Sequence, residues 1–390
     1  MHLAVAGWIK ARGATVMFVV GVDTHKTTHT FVAVDSVGQQ LGELTVKAVT
    51  GGHLSALSWA RQKFGADLVW GIEDCRNLSG RLERDLLDAG QHVVRVPPHL
   101  MAYTRASARA RGKSDSMDAL AVARAVLREP DLPVASHDEV SRELKLLVDR
   151  REDLIKHRSS TMYRLLWRVH ELDPAHAPKP GSLSRAKTVN ELRTWLACQP
   201  GMVAELARDE LADIIALTAE IDALERRIAV RVRAVAPSLL ALYGCGELTA
   251  AKIVGEAAAV SRFRSEAAFA SYAGLAPIPR SSGGTRVRMK GQRSGNRQLN
   301  SALYRIAIVQ ISHPSPGQSY YRKRCDAQDS PVVALRRLKR RISRTVFARL
   351  RADDANRSTT PAPPLSLPEL ERINTQWAAA LADLGVDAPC

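Results

Sequence analysis

Two strongly apolar runs near the start of the chain each end on a carboxylate, and this placement constrains the fold more than any other feature. Phe18–Asp23 reads Phe-Val-Val-Gly-Val-Asp, and Leu68–Glu73 reads Leu-Val-Trp-Gly-Ile-Glu. Continuous apolar runs of this length are typical of strands that are covered on both faces of a sheet. An acid at the end of such a strand is costly to bury unless it is paired or binds a metal ion. Two acids at strand ends can therefore converge on one point, where each needs a specific partner.

A second pair of acids lies on a predicted helix. Asp115 and Asp118 fall within Ser114–Leu127 and are three residues apart, so they share one helix face. A cluster of carboxylate oxygens suits Mg²⁺, and two such ions can hold a phosphodiester for in-line attack. Taken singly, Asp23 or Glu73 could cap a turn, and the helix acids could be a solvated N-terminal charge. Taken together, the four acids predict phosphoryl transfer on nucleic acid.

The first part of the chain, from residue 16 to about 130, has the pattern of an α/β domain. Predicted strands are Val16–Asp23, His29–Asp35, Leu41–Lys47, Leu68–Glu73 and Gln91–Val96, and predicted helices cover about 53–64, 79–89, 99–109 and 114–127. Three strands followed by helix, strand, helix and strand predict a mixed sheet with helices packed on it.

The middle of the chain is predicted to be helical. Long amphipathic patterns cover 137–172 and 202–235, and a Pro-rich linker from Asp173 to Gly181 separates them. Within the second helix an apolar seam spaced by 3, 4, 3 and 4 residues consists of Ile214, Leu217, Ile221, Leu224 and Ile228. This spacing fits either a dimerising coiled coil or a helical hairpin inside one chain.

A third region begins near Pro237. Gly244-Cys245-Gly246 precedes an Ala-rich helix, which is the pattern of a helix-hairpin-helix element that binds phosphate, or of an ordinary glycine turn. A basic helix is predicted for about Val332–Arg351, and the polar, Pro-rich residues that follow predict a flexible tail over 353–390.

The net charge of +16 is concentrated in one segment. Residues 280–351 contain 18 Lys or Arg against 2 Asp or Glu, so this segment holds the entire surplus. Basic density of this kind favours binding to phosphate backbones over a merely solvated face. The predicted nucleic-acid-binding residues are Arg280, Arg286, Arg288, Lys290, Arg293, Arg297, Arg336, Arg337, Lys339, Arg340 and Arg341.

Other classes of protein are disfavoured. The five cysteines are scattered without a Cys-x-x-Cys pair, which argues against a zinc site or a disulfide framework and favours a reducing compartment. No apolar run approaches the ~18 residues of a membrane span. We therefore expect a cytoplasmic, nucleoid-associated protein.

A serine pair lies on a glycine-rich turn within the loop Pro277–Arg297. Ser281-Ser282-Gly283-Gly284 is flanked by arginines, which can stabilise charge on a phosphate while the glycines let the backbone approach it. The serine is a candidate nucleophile. The alternative is a phosphate-binding loop in which serine is only a spacer.

These motifs together resemble the DEDD insertion-sequence transposases, also called bridge-RNA-guided recombinases. The resemblance rests on the following segments, in the family's order: Gly21-Val22-Asp23-Thr24-His25-Lys26, Gly71-Ile72-Glu73, Lys113-Ser114-Asp115-Ser116-Met117-Asp118-Ala119, Gly274-Leu275-Ala276-Pro277, Ser281-Ser282-Gly283-Gly284 and Ser294-Gly295-Asn296-Arg297-Gln298-Leu299. It covers the chain from about residue 17 to 350. One departure is Asp74-Cys75-Arg76-Asn77 after the glutamate, where the family usually has Ala-Thr/Cys-Gly.

The resemblance implies an α/β plus all-α protein. A RuvC-like, RNase H-like DEDD domain would cover 17–135 after an N-terminal extension of 1–16, followed by a coiled-coil region over 136–236 and a mostly helical transposase domain over 237–352. It also implies Mg²⁺ on Asp23, Glu73, Asp115 and Asp118, and a covalent link between DNA and Ser282, with Ser281 as the fallback. Donor and target DNA, a structured guide RNA and a homo-oligomer between dimer and tetramer are the implied partners.

Two other functions remain open at this point. A Holliday-junction resolvase or nuclease would share the four acids and use water as its nucleophile. A non-catalytic protein that packages RNA or DNA would explain the basic segment but would leave the acids without a role.

Overall fold

The computed structural model describes residues 18–73, 76–97, 100, 114–129, 132–136, 138–179, 181–280, 288–291 and 295–359. The chain divides into two compact units. The first comprises Met1–Asp138 with Ser261–Ser265, and the second comprises Glu139–Val260 with Glu266–Cys390. The first unit thus ends close to the predicted boundary at 135, whereas the predicted middle and C-terminal domains belong to one unit.

The first unit is built on a mixed five-stranded sheet. Its elements are β1 (Phe18–Thr24), β2 (Thr28–Val34), β3 (Gln40–Lys47), α1 (Thr50–Phe64), β4 (Leu68–Glu73), α2 (Arg76–Asp88), β5 (His92–Val96) and α3 (Asp115–Arg128). The mixed sheet with packed helices is confirmed. The helix predicted over 99–109 lies outside the described residues, apart from Leu100.

The strands lie in the order β3-β2-β1-β4-β5. Strand β2 runs antiparallel to both of its neighbours, whereas β1, β4 and β5 are mutually parallel. The parallel register pairs Gly21 with Gly71 and Val22 with Ile72, so Asp23 and Glu73 follow at matching positions on adjacent strands. Both acids are therefore at the carboxyl ends of parallel strands, the edge where α/β proteins usually place their ligands.

Each face of the sheet has its own apolar layer. On one face Val20, Phe31 and Trp70 pack with side chains of α1 and α2. On the other face Val19 and Val69 pack with the Ala- and Val-rich surface of α3. Coverage of both faces explains why β1 and β4 are continuously apolar rather than alternating.

The backbone of helix α3 packs directly against the sheet because two strand residues are glycines and have no side chain in the way. A Cβ on Gly21 would lie 2.2 Å from the Ala119 carbonyl oxygen and 2.4 Å from the Ala123 nitrogen. A Cβ on Gly71 would lie 2.5 Å from a methyl group of Val126. Side chains alternate along a strand, so Asp23 and Glu73, each two residues beyond a glycine, lie on the face that α3 covers.

The second unit is mainly helical in its described residues. Its elements are α4 (Glu139–Leu172), α5 (Ala186–Ala197), α6 (Met202–Val235), α7 (Pro237–Leu240), α8 (Glu247–Ala257), α9 (Glu266–Tyr272), β6 (Pro277–Arg280), β7 (Arg288–Gly291), α10 (Arg297–Ser312), α11 (Pro316–Asp326) and α12 (Pro331–Thr359). Helix α5 lies between the Pro-rich linker and α6, in a stretch for which the sequence analysis predicts no helix.

Helices α4 and α6 form an antiparallel pair inside one chain. Arg231 near the end of α6 donates to Glu143 near the start of α4 at 2.7 Å, and Glu210 accepts from Arg168 at 2.9 Å at the other end. Ile214 and Ile228 of the apolar seam are buried. This is the arrangement that the helical-hairpin alternative requires.

Helix α12 continues to Thr359 rather than ending near residue 351. The reason is that a residue of this extension caps the start of another helix, α7. Asp353 is buried and accepts hydrogen bonds from the backbone nitrogens of Ser238 and Leu239, at the start of α7. Arg357 donates to the Val235 carbonyl at the end of α6. Residues 353–359 are therefore ordered helix, and the rest of the expected tail lies outside the described residues.

Among the helices that the structure describes, none combines the length and apolarity that a bilayer crossing requires.

The close approach of α3 to β1 leads us to expect that a side chain at Gly21 destabilises the fold. Gly21→Ala should lower the free energy of unfolding by about 2 kcal/mol, because the new methyl group meets backbone atoms that cannot turn aside. Urea unfolding of the full chain measures it. Gly80→Ala in α2 is the matched control, since open space surrounds that position and alanine favours a helix. Equal stabilities for the two variants would contradict the proposed close packing.

Candidate active site

The start of α3 brings two carboxylates to the end of β1. The Ser114 side chain caps the helix by accepting a hydrogen bond from the Met117 nitrogen, which places Asp115 and Asp118 in the first turn. The positive end of the helix dipole favours negative charge there. Asp118 is buried, whereas the Asp115 side chain is about half exposed. The acids thus surround a point that is open to solvent on one side.

Asp23 forms the buried end of this cluster. It is 7% exposed, and its Oδ2 atom lies 3.1 Å from His25 Nε2. Burial raises the pKa of the Asp23 carboxyl above its ordinary value; His25 acts in the opposite direction, and the neighbouring Asp118 and Asp115 add to the rise. Asp23, Asp115 and Asp118 are therefore close enough to repel one another.

Glu73 completes the predicted set by register. It is partly buried at the end of β4, one position beyond the Val22–Ile72 pair, and on the α3 face of the sheet. Whether Glu73 binds the same ion stays a prediction, which rests on strand register.

The donor set fits a divalent cation. One ligand atom each from Asp23, His25 and Asp115 can be chosen so that all lie within 4.8 Å of one another. A buried carboxylate beside two further carboxylates is the arrangement that a bound cation stabilises.

His25 is the functional candidate that the sequence analysis missed. Its Nε2 atom lies 3.1 Å from Asp23 Oδ2 and 3.3 Å from Asp115 Oδ1. It follows β1 directly, and its backbone nitrogen donates to the Thr28 carbonyl at 3.0 Å across the turn to β2. The spacing Asp-x-His at the end of a strand was the available signal.

The candidate nucleophiles Ser281 and Ser282 lie outside the described residues, as do Arg286 and Arg293. The strands that flank them are described. β6 pairs antiparallel with β7, with Arg280 opposite Arg288 at the end nearest the serines and Pro277 opposite Gly291 at the base. The serines therefore belong to the connection between two paired strands.

A buried polar network joins the segments that precede β6 and follow β7. Asn296 caps α10 and donates from Nδ2 to Glu256 Oε2 at 2.6 Å and to the Tyr272 hydroxyl at 3.1 Å. Glu256 also accepts from Lys145 Nζ at 2.6 Å, so α4, α8 and α10 share one carboxylate. Gly295 has φ +111°, and a Cβ there would lie 2.6 Å from the Gly274 nitrogen. Two motifs that are distant in sequence thus meet at this point.

The predicted nucleic-acid-binding side chains on α12 differ in their availability. Arg336, Arg337 and Arg341 are exposed, although Arg337 also contacts Asp329 at 3.1 Å and Arg341 lies over the Tyr320 ring. Lys339 is directed inward and donates to Asn300 Oδ1 at 2.5 Å; burial lowers the pKa of its amine. Arg340 pairs with Glu266.

On the remaining basic residues, Arg297 is exposed at the start of α10, and Arg280, Arg288 and Lys290 lie on β6 and β7. Their contacts with nucleic acid stay predictions.

Family comparisons match most of the chain. A DEDD transposase model of IS110 elements, described as "Transposase", matches residues 20–171, and "Transposase IS116/IS110/IS902 family" matches residues 236–322. The first contains all four acids, and the second contains Ser281 and Ser282.

The chain belongs to the DEDD insertion-sequence transposases. It is therefore an enzyme of the DNA transposase class. The recognition made from the sequence motifs is confirmed.

Full-length relatives agree with this assignment. The "Insertion element IS116 uncharacterized 44.8 kDa protein" of Streptomyces clavuligerus is 27% identical, over 89% of this chain and 97% of its own length. The "Insertion element IS900 uncharacterized 42 kDa protein" of Mycobacterium paratuberculosis is 25% identical, over 85% and 95%. Among solved structures, RuvC of T. thermophilus in complex with a Holliday junction substrate matches 28% of this transposase and 91% of that chain, with 17% identity and a TM-score of 0.23. That TM-score is too low to establish a shared architecture.

The charge repulsion within the cluster makes a prediction about metal and stability. A carboxyl whose pKa is raised on folding destabilises the folded state once pH exceeds its unfolded value, so Asp23 opposes folding at neutral pH in the absence of metal. Asp23→Asn should raise the free energy of unfolding at pH 7 in EDTA, by an amount on the order of 1 kcal/mol.

Added Mg²⁺ should make the unaltered enzyme more stable than Asp23→Asn, the reverse of the order in EDTA. The unaltered enzyme gains stability because the cation neutralises the cluster, whereas Asp23→Asn gains little. Thermal unfolding in EDTA and in Mg²⁺ measures both effects. Asp35→Asn, at the turn after β2, is the control. An Asp23→Asn variant that is less stable in EDTA would exclude the repulsive cluster.

Proposed function

We propose that this transposase cuts and rejoins DNA through a covalent link to Ser282, with Mg²⁺ held by Asp23, Glu73, Asp115 and Asp118. The observation that carries the proposal is the convergence of Asp23, Asp115 and Asp118 at the end of β1, where the Asp23 carboxylate is buried. A mixed sheet with acids after adjacent parallel strands also supports the RNase H-like, RuvC-like domain that the sequence resemblance implies.

The carboxylates have distinct roles in this proposal. When bound, a divalent cation supplies a counter-charge for the phosphate oxygens and lowers the barrier to in-line displacement. Asp23 and Asp118, which are buried, hold their positions by packing of β1 and α3, whereas Asp115 and His25 border the solvent-open side. Because α3 contacts the sheet backbone, the spacing of the acids is fixed before DNA arrives.

In the proposed chemical step, the serine is the nucleophile. The Ser282 oxygen forms a bond to phosphorus while the bond from phosphorus to the bridging sugar oxygen breaks. The serine proton passes to a base or water, and the leaving sugar oxygen takes up a proton from water and becomes a hydroxyl. The released sugar hydroxyl of another strand then attacks the phosphoserine, which restores the serine and joins the DNA. Arginines of the same hairpin would stabilise the charge on the phosphate. Ser281 is the fallback nucleophile.

The partners follow from charge and from family membership. Exposed Arg336, Arg337 and Arg341 support contacts with phosphate backbones of donor and target DNA and of a structured guide RNA. Base pairing with that RNA would supply sequence selection, as it does in other RNA-guided systems. We further propose a dimer to tetramer in which acids and serine of different protomers act together, in a cytoplasmic, nucleoid-associated protein.

The nucleophile is tested by substitution. Ser282→Ala should abolish the covalent protein–DNA adduct and lower strand joining by about 10³-fold or more, because no other group replaces the attacking oxygen. Denaturing gels of labelled DNA show adduct, cut strand and joined strand separately. Ser281→Ala is the matched control and should retain all three. If Ser282→Ala still cuts with unaltered rate and no adduct forms in either protein, the enzyme is a water-using nuclease.

RNA guidance is tested by the nucleic acid that co-purifies from cells carrying the element. The unaltered protein should retain one discrete structured RNA. Combined replacement of Arg336, Arg337 and Arg341 by Ala should weaken retention of this RNA. The slope of the logarithm of the binding constant against the logarithm of the salt concentration should become shallower by about 3, near 0.9 for each lost phosphate contact. Lys187→Ala, on the exposed side of α5, is the control. Random RNA fragments alone would contradict guidance.

A further inference from the structure

The turn that joins β1 to β2 presents a nitrogen atom to the carboxylate cluster. His25 Nε2 lies within 3.3 Å of a carboxylate oxygen on β1 and of another on α3. The ring is directed there although its side chain is 48% exposed and could extend into solvent.

We propose that His25 binds the same metal ion as Asp23 and Asp115, and that this nitrogen gives the site a stronger affinity for Mn²⁺ than an all-oxygen site would have. The inference rests on the proposed metal-dependent function and adds a ligand and a metal preference to it.

The distances agree with a shared ion. Neighbouring ligands of an octahedral ion with bonds of about 2.1 Å are separated by roughly 3.0 Å. The observed separations are 3.1 Å between His25 Nε2 and Asp23 Oδ2, and 3.3 Å between His25 Nε2 and Asp115 Oδ1. Both contacts of the His25 nitrogen therefore already have the spacing of adjacent ligands.

A simple ion pair explains the arrangement less well. His25 Nε2 lies 3.1 Å from Asp23 Oδ2 and 3.3 Å from Asp115 Oδ1, and a single N–H can point at only one of these oxygens. A cation between the three atoms would be contacted by both carboxylates and by the nitrogen at once. The pair of His25 with Asp115 is also half exposed on both sides, where ion pairs contribute little.

The turn holds the imidazole in place. The His25 backbone nitrogen donates to the Thr28 carbonyl, and the Ala48 nitrogen donates to the Thr27 carbonyl at 2.9 Å, so β3 braces the same turn. A ligand on a hydrogen-bonded turn costs less ordering entropy on metal binding than one on a free loop.

Nitrogen in the donor set changes the choice of metal. Carboxylate and water suit both Mg²⁺ and Mn²⁺, whereas imidazole suits first-row transition ions and adds little for Mg²⁺. Loss of His25 should therefore affect the two ions unequally.

The test compares metal binding by the full-length protein and by His25→Ala, without DNA and without an activity assay. Calorimetric titration with MnCl₂ and with MgCl₂ should give about a 10-fold loss of Mn²⁺ affinity in the variant and less than about a 3-fold loss for Mg²⁺. Pulsed electron paramagnetic resonance of the Mn²⁺ complex should show a directly bound nitrogen, which the variant lacks. Lys26→Ala, at the adjacent exposed position, should leave both affinities and the nitrogen signal unchanged.

The outcomes separate this inference from the function on which it rests. The role of His25 would be overturned if His25→Ala kept the Mn²⁺ affinity of the unaltered protein and if the unaltered protein showed no nitrogen signal. The carboxylate site would still stand in that case, provided that Asp23→Asn abolished metal binding. If Asp23→Asn retained full affinity for both ions, the carboxylate site itself would fail, and His25 with it.

Discussion

Contact between α3 and the sheet at Gly21 and Gly71 is the constraint on which the candidate site depends. A methyl group at Gly21 would meet backbone atoms of α3 at 2.2–2.4 Å, so the helix lies as near to β1 as two backbones can. The first turn of α3 is thereby held over the carboxyl ends of β1 and β4. The mutual repulsion of Asp23, Asp115 and Asp118 is a cost that the apolar layer beneath α3 has to offset, because separation of the acids would require loss of that layer.

The helical unit carries a polar, basic hairpin, β6–β7, on a scaffold of helices. Charged side chains that are largely buried cross-link its helices, and each has a partner. Lys252 of α8 pairs with Glu152 of α4, and Glu256 of α8 pairs with Lys145 of the same helix. Removal of one member of such a pair leaves a charge without compensation, which gives the helices one preferred register.

Much of the site could be predicted from the sequence, because its residues are charged and stand in otherwise apolar segments. An acid that ends a fully apolar strand, as Asp23 and Glu73 do, has few explanations, and the Asp115–Asp118 spacing fixes a helix face. For His25 the Asp-x-His spacing is the one sequence signal, and its contact with the acids depends on the course of a turn rather than on a periodic pattern. Lys339 was expected to bind nucleic acid with its neighbours in a basic run; only the tertiary packing reveals that it donates to Asn300. The continuation of α12 to Thr359 depends on Asp353 meeting the start of α7, a contact between residues 114 and 115 positions apart.

The shared carboxylate of Glu256 has a mechanical consequence. Helix α4 has 34 residues and is therefore about 50 Å long, and Lys145 lies near its beginning. Through Glu256 and Asn296 this helix is joined to the start of α10 by short, charge-assisted hydrogen bonds. A tilt of α4 would therefore displace the start of α10.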